Sequence, residues 1–324
     1  MGQPSALALV FGSPASEPDE VRPPNFPYWE SVSQHRFGGP SVLYLGAGWV
    51  LTARHVGLGE VVFEDKTYLP NFRSRHPLLN ANGTGADVVV FKLEADVALP
   101  DLPILPLASD PPRPGEELVL IGFGRLRGKV IEWREKGRTE FRFEWSEAGA
   151  KRWGTNRVVA KGGMLPQRSW LTHVFSFNFD EPGSENTTRF EAQATVGDSG
   201  GAVFVERNGE WQLVGVMISV SRHTATPGAT TQYGDVTYAA DIASYRAEIL
   251  RWTRPKCSNE EDDDGDGEID FPADPGCSSR FDTDERDTGW MASGSGPLRA
   301  LAVFGAGILC CAAAYWTFRA RKPL

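Results

Sequence analysis

Three short strings in this chain of 324 residues carry side chains that can do chemistry together: Trp49-Val50-Leu51-Thr52-Ala53-Arg54-His55, Ala86-Asp87-Val88-Val89-Val90-Phe91-Lys92-Leu93 and Gly197-Asp198-Ser199-Gly200-Gly201. A serine hydroxyl is a poor nucleophile until a neighbouring imidazole takes its proton, and a buried carboxylate holds that imidazole in the right tautomer. In this scheme Ser199 is the nucleophile, His55 the general base and then acid, and Asp87 the orienting carboxylate. A tetrahedral intermediate also needs two backbone N–H groups aimed at its oxyanion, and a Cβ would crowd the turn that supplies them. The N–H groups of Gly197 and Ser199 are the candidates, and the chemistry calls for no catalytic cofactor.

Such groups need a rigid frame, and the pattern around them is β. Runs such as Ser41–Leu45, Val88–Leu93, Leu118–Ile121, Ala202–Val205 and Leu213–Val220 are short, rich in β-branched residues and bounded by Gly or Pro. Alternation in Glu140-Phe141-Arg142-Phe143-Glu144-Trp145, opposite Ile131 and Trp133 across Lys136-Gly137, predicts a hairpin with one buried face. Its acids alternate with its bases, which marks a solvated face rather than a nucleic-acid surface. Pro100, Pro103, Pro106, Pro111, Pro112 and Pro114 are too dense for a helix or a central strand, so residues 100–115 read as a connector between two halves. Ile242, Tyr245, Ile249 and Trp252 recur at helical spacing and predict one closing helix, ended by Pro255.

The order His, Asp, Ser on a β-rich chain resembles the chymotrypsin-like, trypsin-type serine endopeptidases, over roughly Tyr28 to Trp252. Gly122-Phe123-Gly124 is similar to that family's Gly-Trp-Gly, and Thr237-Tyr238 with the final helix is similar to its C-terminal end. The resemblance implies an all-β domain over residues 28–255, two antiparallel β-barrels with a C-terminal helix, acting on a protein or peptide substrate. Val56 follows His55 where vertebrate members usually place a cysteine, and the first 256 residues hold no cysteine, which fits disulfide-free bacterial relatives.

Two departures from the family bear on function. Many members are cut to free an Ile-Val-Gly-Gly amino terminus that inserts beside the Asp preceding the catalytic Ser, here Asp198. That string is absent, and Gly38-Gly39 reads as a turn, so another group is expected to hold Asp198. Preference for basic side chains depends on an Asp six positions before the nucleophile, where this chain has Gln193. A neutral amide cannot pair a buried Lys or Arg charge. Ile218-Ser219-Val220 stands where members commonly have Ser-Trp-Gly, and two β-branched residues narrow the pocket. Gln193, Ile218, Ser219 and Val220 together predict a small or neutral residue before the cleaved bond.

Beyond Pro255 the composition changes. Residues 257–288 hold thirteen acidic residues against two arginines, a net of −11, so the formal −9 of the chain leaves about +2 for the rest. Neither value suggests a basic groove for nucleic acid. Cys257 and Cys277 bracket the acidic segment (256–288) and read as one disulfide. Between them Asp262, Asp264 and Asp266, with Gly267 for the turn and then Glu268 and Asp270, offer the alternating oxygens that a hard Ca²⁺ ion takes from one loop. This resembles the calcium loops of EF-hand and thrombospondin type 3 repeats, except that Ala273 occupies the twelfth position where a bidentate Glu is expected.

A Gly/Ser spacer (289–297) leads to an apolar stretch (298–318) long enough for one transmembrane helix, followed by a basic tail (319–324). The positive-inside bias puts that tail in the cytoplasm and everything upstream outside, in the cell envelope. Residues 1–27 read as a weak signal-like segment, with Ala6–Gly12 as its apolar core, and a Pro-rich leader. The sequence therefore describes a serine endopeptidase on an acidic stalk, tethered to the outer side of a membrane. The rival reading is a protease-fold binding or adhesion protein of the envelope without turnover.

Overall fold

The computed structural model describes residues 9–12, 17–18, 21–36, 38–95, 98–221 and 229–286. It is mostly β, with two seven-stranded antiparallel sheets consistent with two barrels, and one α-helix. The first sheet runs in the order Lys66–Tyr68, Val61–Phe63, Val32–His35, Ser41–Gly46, Trp49–Ala53, Gly85–Leu93, Pro70–Leu79. The second runs Arg152–Arg157, Glu117–Gly122, Ala202–Arg207, Glu210–Ser221, Val236–Asp241, Trp170–Asn178, Ala160–Gln167.

The near-continuous apolar runs follow from burial on both strand faces. Along Ser41–Gly46 successive side chains point to opposite sides of the sheet. Val42 and Tyr44 enter a cluster inside the first half with Val50, Val61, Phe63 and Phe91, whereas Leu43 and Leu45 enter a larger one. That larger cluster also takes Val119, Ile121, Phe204 and Val216 from the second half and Tyr245 and Ile249 from the helix, so it joins the halves. Each such side chain contributes about 1.5–3 kcal/mol when fully buried, which makes this shared core the main force holding the two halves in register.

Between the halves the Pro-rich connector is stitched to the second sheet, with Ala108 N–H donating to Leu213 O at 3.0 Å and Leu213 N–H to Pro106 O at 2.9 Å. The hairpin forms as read, Arg125–Glu135 against Arg138–Gly149, with Trp133 opposite Glu140. Lys136 and Gly137, both at positive φ, make its turn. The helix spans Ile242–Thr253, capped by Asp241, whose carboxylate accepts from Ala243 N–H at 3.1 Å and from the Ser244 hydroxyl at 2.9 Å. Ile242, Tyr245 and Ile249 are buried, while Trp252 is 40% exposed and stacks on His76.

At the other end of the chain, Val10–Phe11 pairs antiparallel with Ala192–Gln193, and Leu9, Val10 and Phe11 are buried. Arg127 Nη1 donates to Phe11 O and the Tyr233 hydroxyl to Gly12 O, both at 3.2 Å. The apolar run that reads as an export core thus supplies, over its described part, one strand of a two-stranded sheet with Ala192–Gln193.

The acidic segment up to Arg286 belongs to the same compact unit as the β body. Cys257 and Cys277 are joined by a disulfide. Arg246 pairs with both oxygens of Glu260, and Arg251 with both oxygens of Glu261 at 2.7 and 2.8 Å, which docks the segment on the helix rather than leaving it a free stalk. The stretch read as a membrane span, with its spacer and basic tail, lies outside the described residues. Among the described residues, no helix is long and apolar enough to cross a membrane.

Candidate active site

His55 leaves the end of the Trp49–Ala53 strand on a tight turn in which Val56 N–H donates to Ala53 O and Gly57 N–H to Arg54 O, both at 3.1 Å. The register that sets Ala53 opposite Val88 brings Arg54 N–H within 3.1 Å of Asp87 O, so His55 falls beside the Asp87 side chain. Asp87 is fully buried and holds His55 twice: Oδ1 accepts the backbone N–H at 2.8 Å and Oδ2 meets Nδ1 at 2.7 Å. A carboxylate only accepts, which assigns the proton to Nδ1 and leaves Nε2 as the base. The imidazole remains about one-third exposed, open to substrate. Asp87 is itself placed from the second half, since its N–H donates to the Thr172 hydroxyl at 2.9 Å.

Ser199 lies just before the strand Ala202–Arg207, in a turn tied to the first half. Ser41 N–H donates to Ser199 O at 3.0 Å, and the Ser41 hydroxyl donates to Gly197 O at 3.2 Å while accepting from Phe123 N–H at 3.0 Å. The chains approach so closely here that a Cβ on Gly200 would lie 2.0 Å from Ser41 O, and Gly200 also has φ +83°, so only glycine fits. His55, Gly197 and Ser199 line one cleft of about 460 Å³, with Pro40, Phe123 and Val196. His55 and Ser199 form no hydrogen bond with each other in this structure; such contacts are often long before substrate binds. Among the described residues, the N–H groups of Gly197 and Ser199 donate to no protein acceptor, whereas that of Asp198 between them donates to Thr195 O at 3.1 Å. The arrangement offers a base with its orienting carboxylate, a serine in the same cleft and two unengaged N–H donors.

A smaller recess of about 70 Å³ adjoins Ser199, walled by Ala194, Thr195, Val196, Met217, Ile218 and Val220, with Ser219 and Asp198 also on its lining. Gln193 is not on this lining: the residue is 1% exposed, and its Oε1 is buried without a partner among the described residues. The pocket residues read from the sequence therefore divide, with Ile218, Ser219 and Val220 on the recess and Gln193 off it. Ala194, Thr195, Val196 and Met217 are lining residues that the sequence did not single out, and the Met217 Cε would lie 2.6 Å from a Cβ on Gly201.

Asp198 accepts from Gly124 N–H (Oδ1, 2.7 Å), from Thr195 N–H (Oδ2, 2.8 Å) and from the Thr195 hydroxyl (Oδ2, 3.0 Å). Full burial pushes its pKa up to about 6, against these hydrogen bonds, which lower it. Close by, Lys151 packs over the rings of Trp29 and Phe123 and donates to Trp29 O at 2.5 Å; burial pulls its pKa down to about 8.

In the acidic segment, Asp262, Asp264 and Asp266 converge, each with a carboxylate oxygen within 4.8 Å of the others. Glu268 and Asp270 do not join them; the Asp270 carboxylate instead accepts from the N–H groups of Asn259 and Glu260 at 3.0 and 2.9 Å. Glu285, which the sequence reading passed over, is buried and accepts from Asp263 N–H at 2.6 Å.

No curated protein sequence matches the chain. Among solved structures it is similar to the inactive form of the Rv3671c protease, at 17% identity over 68% of this chain and 90% of that one, with a TM-score of 0.39. It is also similar to neuropsin, a serine protease expressed in the limbic system of mouse brain, at 16% identity over 70% and 96% of the two chains and a TM-score of 0.45. Kallikrein-related peptidase 10 in complex with Zn²⁺ matches at 14% identity over 69% and 95%, with a TM-score of 0.43. The trypsin-like peptidase domain matches residues 39–216, more than half of the chain and a span that contains His55, Asp87 and Ser199, and the chain belongs to that family.

Proposed function

We propose that this protein is a serine endopeptidase acting through an acyl-enzyme on Ser199. The observation that carries the reading is the doubly held His55–Asp87 pair opening onto the cleft that Ser199 and the two unengaged N–H groups also line. Ser199 Oγ attacks the peptide carbonyl carbon while His55 Nε2 takes its proton, and the resulting oxyanion is received by the N–H groups of Gly197 and Ser199. Collapse breaks the C–N bond, the amine leaves with the proton from Nε2, and a water deprotonated by the same nitrogen releases the acid. The narrow recess beside Ser199 supports a small, neutral residue before the scissile bond.

A fluorophosphonate probe tests this directly. Wild type is expected to gain one adduct on Ser199, with labelling lost in Ser199→Ala and reduced by orders of magnitude in His55→Ala. A folded wild-type protein that neither labels nor cleaves a peptide library overturns the reading in favour of a binding protein on the same fold.

We also propose that the enzyme works in the cell envelope, outside the cytoplasm, with the apolar stretch 298–318 as its membrane span; protease shaving of intact cells that leaves a membrane-retained C-terminal fragment is the expected result. For Ca²⁺, the three converging carboxylates of Asp262, Asp264 and Asp266 support binding, while the turned-away Asp270 argues for a shell completed by water and thus for weak affinity. Titration calorimetry on the full chain, compared with Asp264→Asn, decides it.

A further inference from the structure

Asp198 occupies an unusual position for a carboxylate. It is completely buried, and among the described residues no Lys, Arg or His forms an ion pair with it. Its backbone N–H lies between the two that face the oxyanion, so a rotation of Asp198 would turn both donors. Three hydrogen bonds prevent that rotation, and two of them come from a single residue, Thr195.

The Thr195 hydroxyl also lies 2.9 Å from Arg125 O, and one hydroxyl proton thus serves two acceptors, the Asp198 carboxylate and the carbonyl at the root of the hairpin. Arg125 N–H in turn donates to Val196 O at 3.0 Å. Segments 124–125 and 195–198 are zipped together by these contacts. The fit depends on glycine at 124, where a Cβ would lie 2.2 Å from Asp198 Oδ2 and 2.4 Å from Thr195 Oγ1.

We infer that Thr195 is the positioning residue of the oxyanion loop: its hydroxyl and N–H fix the Asp198 carboxylate in place of a cation, and through Asp198 they aim the Gly197 and Ser199 N–H groups. The inference rests on the proposed peptidase reading for its kinetic consequence, but its structural content stands apart from turnover. Thr195 acts through Asp198 and contacts no reacting atom.

Two variants of the full chain separate the hydroxyl from the space it fills. Thr195→Val keeps the shape and removes the proton donor, whereas Thr195→Ser keeps the donor. On a peptide with a small residue before the scissile bond, Thr195→Val is expected to lower kcat by ten- to a hundredfold with KM changed less than threefold. Thr195→Ser restores kcat to within a few-fold of wild type. Hydrogen exchange at the Gly197–Gly201 amides, read by mass spectrometry, is expected to speed up at least tenfold in Thr195→Val and not in Thr195→Ser. Equal losses in both variants, or a loss confined to KM, would assign Thr195 to packing of the recess and overturn the inference. A wild type without turnover would sink the peptidase reading alone, because the exchange comparison still decides what Thr195 does.

Discussion

Replacing Val220 by Gly asks how the recess beside Ser199 selects a side chain. The space is about 70 Å³, and Val220, Ile218 and Met217 supply much of its apolar wall. An alanine methyl fits it, whereas leucine brings three more carbons that meet this wall. Removing the Val220 isopropyl group opens room of that size. Each newly buried methylene is worth about 0.8 kcal/mol, so admitting all three is worth about 2.4 kcal/mol, or roughly 60-fold in kcat/KM. Internally quenched peptides differing only at this residue give the ratio within one enzyme preparation, so the concentration of active sites cancels. Wild type is expected to prefer Ala over Leu by tenfold or more, and Val220→Gly to raise the Leu-to-Ala ratio by roughly 60-fold. An unchanged ratio, or a wild type that cleaves after Arg or Phe as fast as after Ala, refutes the reasoning from recess size.

Asp87→Asn keeps the shape but presents an N–H to His55 Nδ1, favouring the wrong tautomer; kcat is expected to fall about 10⁴-fold with the circular dichroism spectrum unchanged. Lys151 gives a pH signature with a defined sign. Below about pH 8 it is charged whether folded or unfolded, and folding bears the full cost of burying the charge. Between about 8 and its ordinary value of 10.5 the unfolded chain binds more protons, so stability rises with pH across that window, by at most about 3 kcal/mol. Melting temperatures of wild type and Lys151→Met from pH 7 to 10.5 are expected to converge or cross in that direction, and parallel curves would refute it. Deleting residues 1–12 removes the strand paired with Ala192–Gln193 and uncovers the surface that Leu9, Val10 and Phe11 cover. Faster amide exchange over 192–195 and a lower melting temperature are the expected results.

That His55 meets Asp87 and shares a cleft with Ser199 was legible because the proposed chemistry admits few residue types and each sits in a string with its own reason to be there. The hairpin was legible from strict alternation around Lys136-Gly137, and the helix from apolar spacing between Asp241 and Pro255. Ser41 and Thr172 were not, because each is an ordinary strand hydroxyl until the fold carries it to a backbone partner 156 or 85 residues away. Residues 9–12 show the limit of composition, since an export core and a buried strand ask for the same apolar side chains, and the pairing of Val10–Phe11 with Ala192–Gln193 could not be read from them. Gln193 was found by its count from Ser199, but a count cannot say which side of a strand faces the pocket. The doubly paired arginines of the helix were hidden likewise, since Arg246 and Arg251 on a solvated helix face resemble any surface charges until the acidic segment folds back on them.

The strand Val10–Phe11 also bears on how the protein is made. Its partner, Ala192–Gln193, is translated roughly 180 residues after it. At about 5–20 residues per second, that strand spends on the order of 10–40 s with three apolar side chains and no partner to join. The strand pair that adjoins Ala194 on the recess beside Ser199 therefore closes only once the chain has been made as far as residue 193.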